Sequence, residues 1–223
     1  MMQELIYLQD VHLTADGGIG KLRVDLLRAQ AGQTVAVVGG QAQLRRALLR
    51  LLAGMAPAQA GTACVAGQPL EALSDDAAAN FRNGHIGHVA PAAQFLARFT
   101  ALENAALPLC LRGVARAQRE KAALLALQAV GLRPVAHALP AKLTGQERLR
   151  LALARALAAE PAILLLDDMA DAVSEAERTR WQDILCRYRG DQRMIVECSQ
   201  EETLLPADRI VHIQDGEIVE DPR

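Results

Sequence analysis

Aromatic side chains are nearly missing from this chain: one Trp, two Tyr and three Phe among 223 residues, against a hydrophobic share of 51%. The core must therefore be built chiefly from Ala, Leu, Val and Ile. A surplus of positive charge is missing too. With a formal net charge of −2, bulk affinity for nucleic acid has no electrostatic basis, so nucleic acid is not an expected partner. No apolar segment approaches the ~20 uninterrupted residues that a membrane span needs. The opening MMQELIYLQD also lacks the basic start and apolar run of a signal peptide. Contact with a membrane is expected to be made through another protein.

Cysteine is sparse and scattered. Cys64, Cys110, Cys186 and Cys198 are too far apart for a metal knuckle and lie in apolar or helical contexts, so they are expected to be buried free thiols in a reducing cytoplasm. Among His12, His85, His88, His137 and His212 only His85 and His88 are close, with no Cys or carboxylate cluster beside them. No metal site is expected there.

What the chain does have is alternation. Residues 4 to 38 read as strands divided by the turn Gly17-Gly18, with Ala31-Gly32 before the next strand; 43 to 53 read as helix, and 61 to 89 as a short strand pair and a helix. Helices dominate from about 100 to 159. In QREKAALLALQAV, Gln118 to Val130, the residues Leu124, Leu125, Leu127 and Val130 are expected on one apolar helix face. The remainder returns to strand, helix and strand and closes on the turn Gln214-Asp215-Gly216. The fold class expected is α/β, a mixed or parallel sheet core flanked by helices with an antiparallel edge, in one domain over 1–223.

Two stretches carry the chemistry. Val35 to Gly54, VAVVGGQAQLRRALLRLLAG, is an apolar β-branched run, a glycine turn and a helix with Leu44, Leu48, Leu51 and Leu52 at spacings of three and four. This is the layout of a phosphate-binding loop, G-x-x-x-x-G-K-[ST], in which bare backbone N–H groups, a lysine and a metal-holding hydroxyl grip the phosphates. In register from Gly39, the second glycine falls on Leu44, the lysine on Arg45 and the hydroxyl on Arg46, followed by Ala47. Arg45 can still bind phosphate as a planar fork, and the helix opening remains a donor-rich end. Leu44 is expected to crowd the loop. Arg46 opposes the chemistry directly, since a unit charge ~4 Å from a divalent ion costs roughly 8 kcal/mol at an effective dielectric of about 20, unscreened. The preferred reading of Arg45, Arg46 and Arg50 is nevertheless a solvated helix face.

The second stretch, Leu143 to Asp168, LTGQERLRLALARALAAEPAILLLDD, opens on Thr144-Gly145-Gln146-Glu147, a capping-box pattern. After Pro161 it becomes a buried strand ending in Asp167 and Asp168.

Taken together these segments resemble ATP-binding-cassette (ABC) nucleotide-binding subunits, and within them the lipoprotein-release and macrolide-exporter type, over about Leu8 to Asp221. LTGQERLRLALARAL (Leu143 to Leu157) is similar to that family's signature, ILLLDD (Ile163 to Asp168) to its Walker B strand, and FTALENAALPLCLRG (Phe99 to Gly113) to its helical subdomain. ADRIVHIQDGEIVED (Ala207 to Asp221) resembles its closing hairpin.

The resemblance implies an ABC-type P-loop NTPase fold with a β subdomain and a helical subdomain at about 91–145. The family's nucleotide-binding positions fall on Gly39, Leu44, Arg45, Arg46, Ala47, Pro91 and Asp167, and its catalytic positions on Asp168 and Ser199. The Walker B metal-holding aspartate is Asp167. The catalytic glutamate is replaced by Asp168, one methylene shorter, where a displacement of about 1 Å can cost on the order of 10²-fold in rate. The Q-loop glutamine aligns with Pro91, the switch histidine with Ser199 and the residue after it with Gln200. The D-loop reads DAVS, Asp171 to Ser174, and LTAD stands where an adenine-stacking aromatic is usual.

These departures imply a pseudo-ATPase, binding ATP and Mg²⁺ weakly or only in a composite site. The resemblance implies that such a subunit docks on integral membrane permease-type subunits, peripheral on the inner face of the cytoplasmic membrane. It would pair as a homodimer, or as a heterodimer with another ABC ATPase subunit. In ABC dimers the signature contacts the ATP of the opposite subunit, so Thr144, Gly145, Gln146 and Glu147 are the dimer-contact residues, with Gln146 needing to turn away. Two alternatives remain: slow hydrolysis in a composite site with an intact partner, and a soluble regulator that sequesters a genuine ATPase.

Overall fold

A computed structural model describes residues 3–18 and 20–220. Met1, Met2 and the three closing residues from Asp221 lie outside the described residues, as do the corresponding ends of the expected domain and hairpin.

The chain begins with two long antiparallel strands, β1 (Glu4–Thr14) and β2 (Lys21–Gln30), which pair Leu8 with Leu27, Val11 with Val24 and Leu13 with Leu22. Their alternation puts those residues in the core. β3 (Thr34–Gly39) and α1 (Ala42–Leu52) follow, then β4 (Ala60–Val65), β5 (Gln68–Pro69), α2 (Asp75–His85) and β6 (Ile86–Val89). The helical stretch is α3 (Ala101–Leu111), α4 (Arg116–Ala129) and α5 (Gly145–Ala158). It leads into β7 (Ile163–Asp167), α6 (Met169–Ala172), α7 (Glu175–Arg189) and β8 (Met194–Ser199), and the chain closes with β9 (Arg209–Gln214) and β10 (Glu217–Glu220).

All the strands join one sheet in the order β5-β4-β1-β2-β10-β9-β3-β8-β7-β6. The run from β9 to β6 is parallel, and β1, β2, β4 and β5 form the antiparallel part. β7 is buried along its whole length, as a central strand covered on both faces must be. Its residues divide between two apolar clusters. Ile163 and Leu165 join α1 and the antiparallel strands; Leu164 and Leu166 join α3, α4, α5 and Trp181 of α7. The mixed α/β sheet core expected from the sequence is the fold observed, with the Gly17-Gly18 and Asp215-Gly216 turns in place.

Two expectations need correction. On α4 the buried face is Ala123, Ala126 and Leu127, continued by Val130, whereas Leu124 and Leu125 face outward, Leu125 with 60% exposure. Small alanines allow α4 to approach α3 and α5 closely, and the two leucines fall off that side. Of the cysteines, only Cys198 is buried; Cys64 is half-buried, and Cys110 and Cys186 are exposed on the outer sides of α3 and α7, all four as free thiols.

Candidate functional site

The loop from β3 to α1 turns on Gly39 and Gly40, with φ of +83° and +62°. Gly40 is sterically obligatory, because a Cβ there would lie 2.5 Å from Cγ2 of Ile213. The Gly39 N–H donates to the carbonyl of Gln200 (3.1 Å), joining this loop to the one that follows β8.

Arg45 sits one turn into α1 with only 2% exposure, which overturns the solvated-face reading for this residue. Its Nη1 donates to the carbonyls of Gly39 and Gly40 (2.9 Å each) and to Oε1 of Gln200 (2.8 Å); Nη2 donates to Oδ1 of Asp168 at 2.9 Å. The guanidinium therefore fills the mouth of the loop, and its fork is spent on the chain's own oxygens. Leu44, expected to crowd the loop, instead turns into the apolar cluster toward Gly20, gaining burial there. Ala47 is likewise buried in that cluster.

Arg46 does not swing away from the acids. Its Nε lies 3.6 Å from Oδ2 of Asp167 and its Nη2 3.9 Å from Oδ2 of Asp168, although the side chain is 58% exposed. Asp168 adopts left-handed backbone (φ 49°, ψ 42°), which a short polar side chain tolerates, and its N–H donates to the carbonyl of Cys198. That turn aims its carboxylate at the two arginines. Burial, then the neighbouring Asp168 charge, raise the pKa of Asp167, and Arg46, His88 and Arg45 oppose the shift. One oxygen of Asp167, Oδ1, is buried without a hydrogen-bond partner. Beside it a recess of about 390 Å³ is lined by Arg46, Leu49, Arg50, Ala53, Met55, His88 and Asp167.

Two carboxylates are a proper oxygen donor set for Mg²⁺, but here each faces a guanidinium. Two positive and two negative side chains already balance. This arrangement does not fit the metal unless Arg46 is displaced.

Ser199, aligned with the switch histidine, is buried at the end of β8 beside Val38, and its hydroxyl has no hydrogen-bond partner among the described residues. Gln200 bonds the loop directly: the sequence places it after the switch position without giving it a role, and its carbonyl and side chain bond the loop and Arg45. Pro91 is exposed in a turn closed by the Ala93 N–H to the Ala90 carbonyl (3.1 Å). The segment after it is held by the fully buried Asn104, which donates to the carbonyls of Leu96, Phe99 and Thr100 and accepts from the Leu96 N–H.

At the start of α5 the capping box is formed. Thr144 Oγ1 accepts from the Glu147 N–H (3.2 Å) and donates to Oε2 of Glu147 (2.9 Å), which also takes the Thr144 N–H. Those bonds hold the Glu147 carboxyl below the usual range. Gln146 lies along the helix side: its Nε2 donates to the Ala172 carbonyl (3.0 Å) and its Oε1 accepts from the Ser174 N–H (3.4 Å). Thr144 and Gly145 stay exposed in front.

This arrangement of loop, paired acids and capped helix has known counterparts. Residues 23–171 match the family described as ABC transporter. The chain belongs to that family. It is 41% identical over 142 residues, 64% of this chain and 60% of the relative, to the lipoprotein-releasing system ATP-binding protein LolD of Chromohalobacter salexigens. It is 30% identical over 225 residues to the macrolide export ATP-binding/permease protein MacB of Shigella boydii, covering 99% of this chain and 35% of that relative. The match thus spans three-fifths or less of the length of these two ABC relatives. Among solved structures, the dimeric post-hydrolysis ATP-binding cassette bound to ADP and Pi superposes with a TM-score of 0.82 at 24% identity, covering 96% of both chains. The fold is that of an ABC cassette.

Proposed function

We propose that this chain is a catalytically silent ABC subunit, acting by docking and dimerisation in a transporter or envelope-remodelling complex. What carries the reading is the Arg45–Asp168 pair together with Arg46 lying over both acids. The phosphate loop is plugged by its own side chain, and the Arg46 guanidinium lies over the metal position. Pro91 supplies no side-chain ligand, Ser199 is turned inward, and Asp168 is both short and engaged. The resemblance to LolD and MacB supports integral membrane permease-type subunits as partners and the inner face of the cytoplasmic membrane as location, with 91–145 as the helical subdomain that meets them. Titration of the purified chain with ATP, with and without Mg²⁺, tests the reading: micromolar Mg²⁺-dependent binding refutes it. Co-extraction with polytopic membrane proteins tests the docking role.

A second reading is favoured by one observation. Thr144 and Gly145 remain exposed because Gln146 folds onto Ala172 and Ser174. A heterodimer with an intact partner would then keep one composite site. Hydrolysis that appears only on mixing with such a partner, and is lost with Gly145→Trp, would establish it.

A further inference from the structure

α4, the end of α5 and α7 meet around a hollow of about 350 Å³ that none of the nucleotide-site residues lines. It lies at the opposite end of α5 from the Thr144 capping box. α4 turns Ala122, Leu125, Ala126 and Ala129 toward it, at i, i+3, i+4 and i+7 on one helix face; α5 contributes Leu157 and α7 contributes Ile184. Ala126 and Leu157 are 7% and 8% exposed, whereas Leu125 is 60% exposed. The apolar floor is therefore sheltered beneath an opening, with Leu125 at its lip, and is not part of a flat surface.

Three polar side chains also line the hollow, and two of them are committed. The Tyr188 hydroxyl donates to the Pro161 carbonyl at 2.7 Å. Glu160 lies 3.4 Å from Nη2 of Arg193, whose guanidinium also covers the Tyr188 ring at 4.7 Å. Arg187 is different. Its Nε donates to the Asp183 carbonyl one turn back (3.2 Å), and its two Nη atoms have no hydrogen-bond or ion-pair partner among the described residues. With Glu160 balanced by Arg193, the charge left over at this rim is the open fork of Arg187.

Small-molecule sites are concave and mostly apolar, with a few polar groups that fix orientation. Here the apolar walls are mainly aliphatic, and the uncommitted group is a planar cation whose paired N–H donors match a carboxylate. We propose that the hollow between α4 and α7 binds a medium-chain aliphatic carboxylate, its tail against Leu125, Ala126, Leu157 and Ile184 and its head on the Nη atoms of Arg187. Size agrees with this. At the ~30 Å³ that a water-sized group takes up in a liquid, 350 Å³ holds a chain on the order of ten carbons. The site is separate from the β3–α1 loop, so the inference stands whether or not nucleotide binds.

Decanoate, kept below its micelle concentration at neutral pH, is titrated into the full chain by calorimetry and by amide NMR. One saturable site is expected, with shifts centred on Ala126, Ala129 and Ile184. Decylammonium, with the same tail and the opposite charge, should bind at least about tenfold more weakly. Arg187→Gln should weaken decanoate by about fivefold or more and leave decanol unchanged. Ala129→Phe, at an exposed helix position that tolerates a larger side chain, should fill the hollow and abolish binding of both. Arg187 and Ala129 both lie outside the core, so folding of these variants is checked by an unchanged urea midpoint. Binding that does not saturate, equal affinity for decanoate and decylammonium, or decanoate binding unchanged in either variant would overturn the proposal. Saturable binding whose shifts fall instead on Lys121 and Arg133 would overturn it too.

Discussion

Arg45 and Asp168 stand 123 residues apart in sequence and meet in a 2.9 Å ion pair that closes the β3–α1 loop over the end of β7. The arginine is almost wholly buried and the acid about three-quarters so. In a family whose fold presents this loop to phosphate, the pair makes the loop a structural joint.

Such a joint should carry stability. Arg45→Ala strips Asp168 of its buried partner and leaves the Gly39 and Gly40 carbonyls without their donor, at a cost on the order of 3 kcal/mol. Urea denaturation should show a lower midpoint with an unchanged slope. An unaltered midpoint would mean that the plug holds nothing.

On the proposed reading, positive charge, and not bulk, keeps magnesium out. Arg45→Lys with Arg46→Ser should then bind ATP in the presence of Mg²⁺ more tightly than the wild type does, as followed by calorimetry. Hydrolysis should stay slow, since Asp168, Pro91 and Ser199 are unchanged. Adding Leu44→Gly should not improve binding but should lower stability by about 3 kcal/mol, because Leu44 is a core side chain.

Folding stability should fall as pH rises. Glu197, raised to about 7 in the folded chain, binds its proton more tightly folded than unfolded. That contribution, on the order of 3 kcal/mol, is complete below the ordinary carboxylate range and is lost as pH rises through about 7. Asp167 is raised as well and acts in the same direction, while His88, lowered by burial, opposes them as pH rises toward the ordinary imidazole value. Chemical denaturation at pH 5 and pH 8 should show the slope, and Glu197→Gln should flatten it without removing it.

Asn104 should matter to the segment that follows Pro91. Its side chain makes four hydrogen bonds to the backbone between Leu96 and Thr100 while itself fully buried. Asn104→Ala leaves those groups unpaired at a cost of about 2 kcal/mol or more. Limited proteolysis should then cut between residues 91 and 100 first.

Local chemistry was legible in the sequence. The Thr144–Glu147 capping box, the β3-to-α1 transition and the turn glycines each depend on neighbours within a few positions, and each is found. Arg45 was not legible, because its partners Asp168 and Gln200 are 123 and 155 positions away and only the parallel sheet brings them together. A helical pattern could not say that Arg45 points inward while Arg46, next to it, stays at the surface. Leu124 and Leu125 failed for a related reason. Hydrophobicity marks a candidate face, but the alanines decide which side admits a neighbouring helix.

Gln146 has a mechanical meaning. By gripping the backbone of Ala172 and Ser174, it makes the first turn of α5 and the stretch behind Asp168 move as one piece, so that a load on either end is transmitted to the other through covalent chain and a single amide.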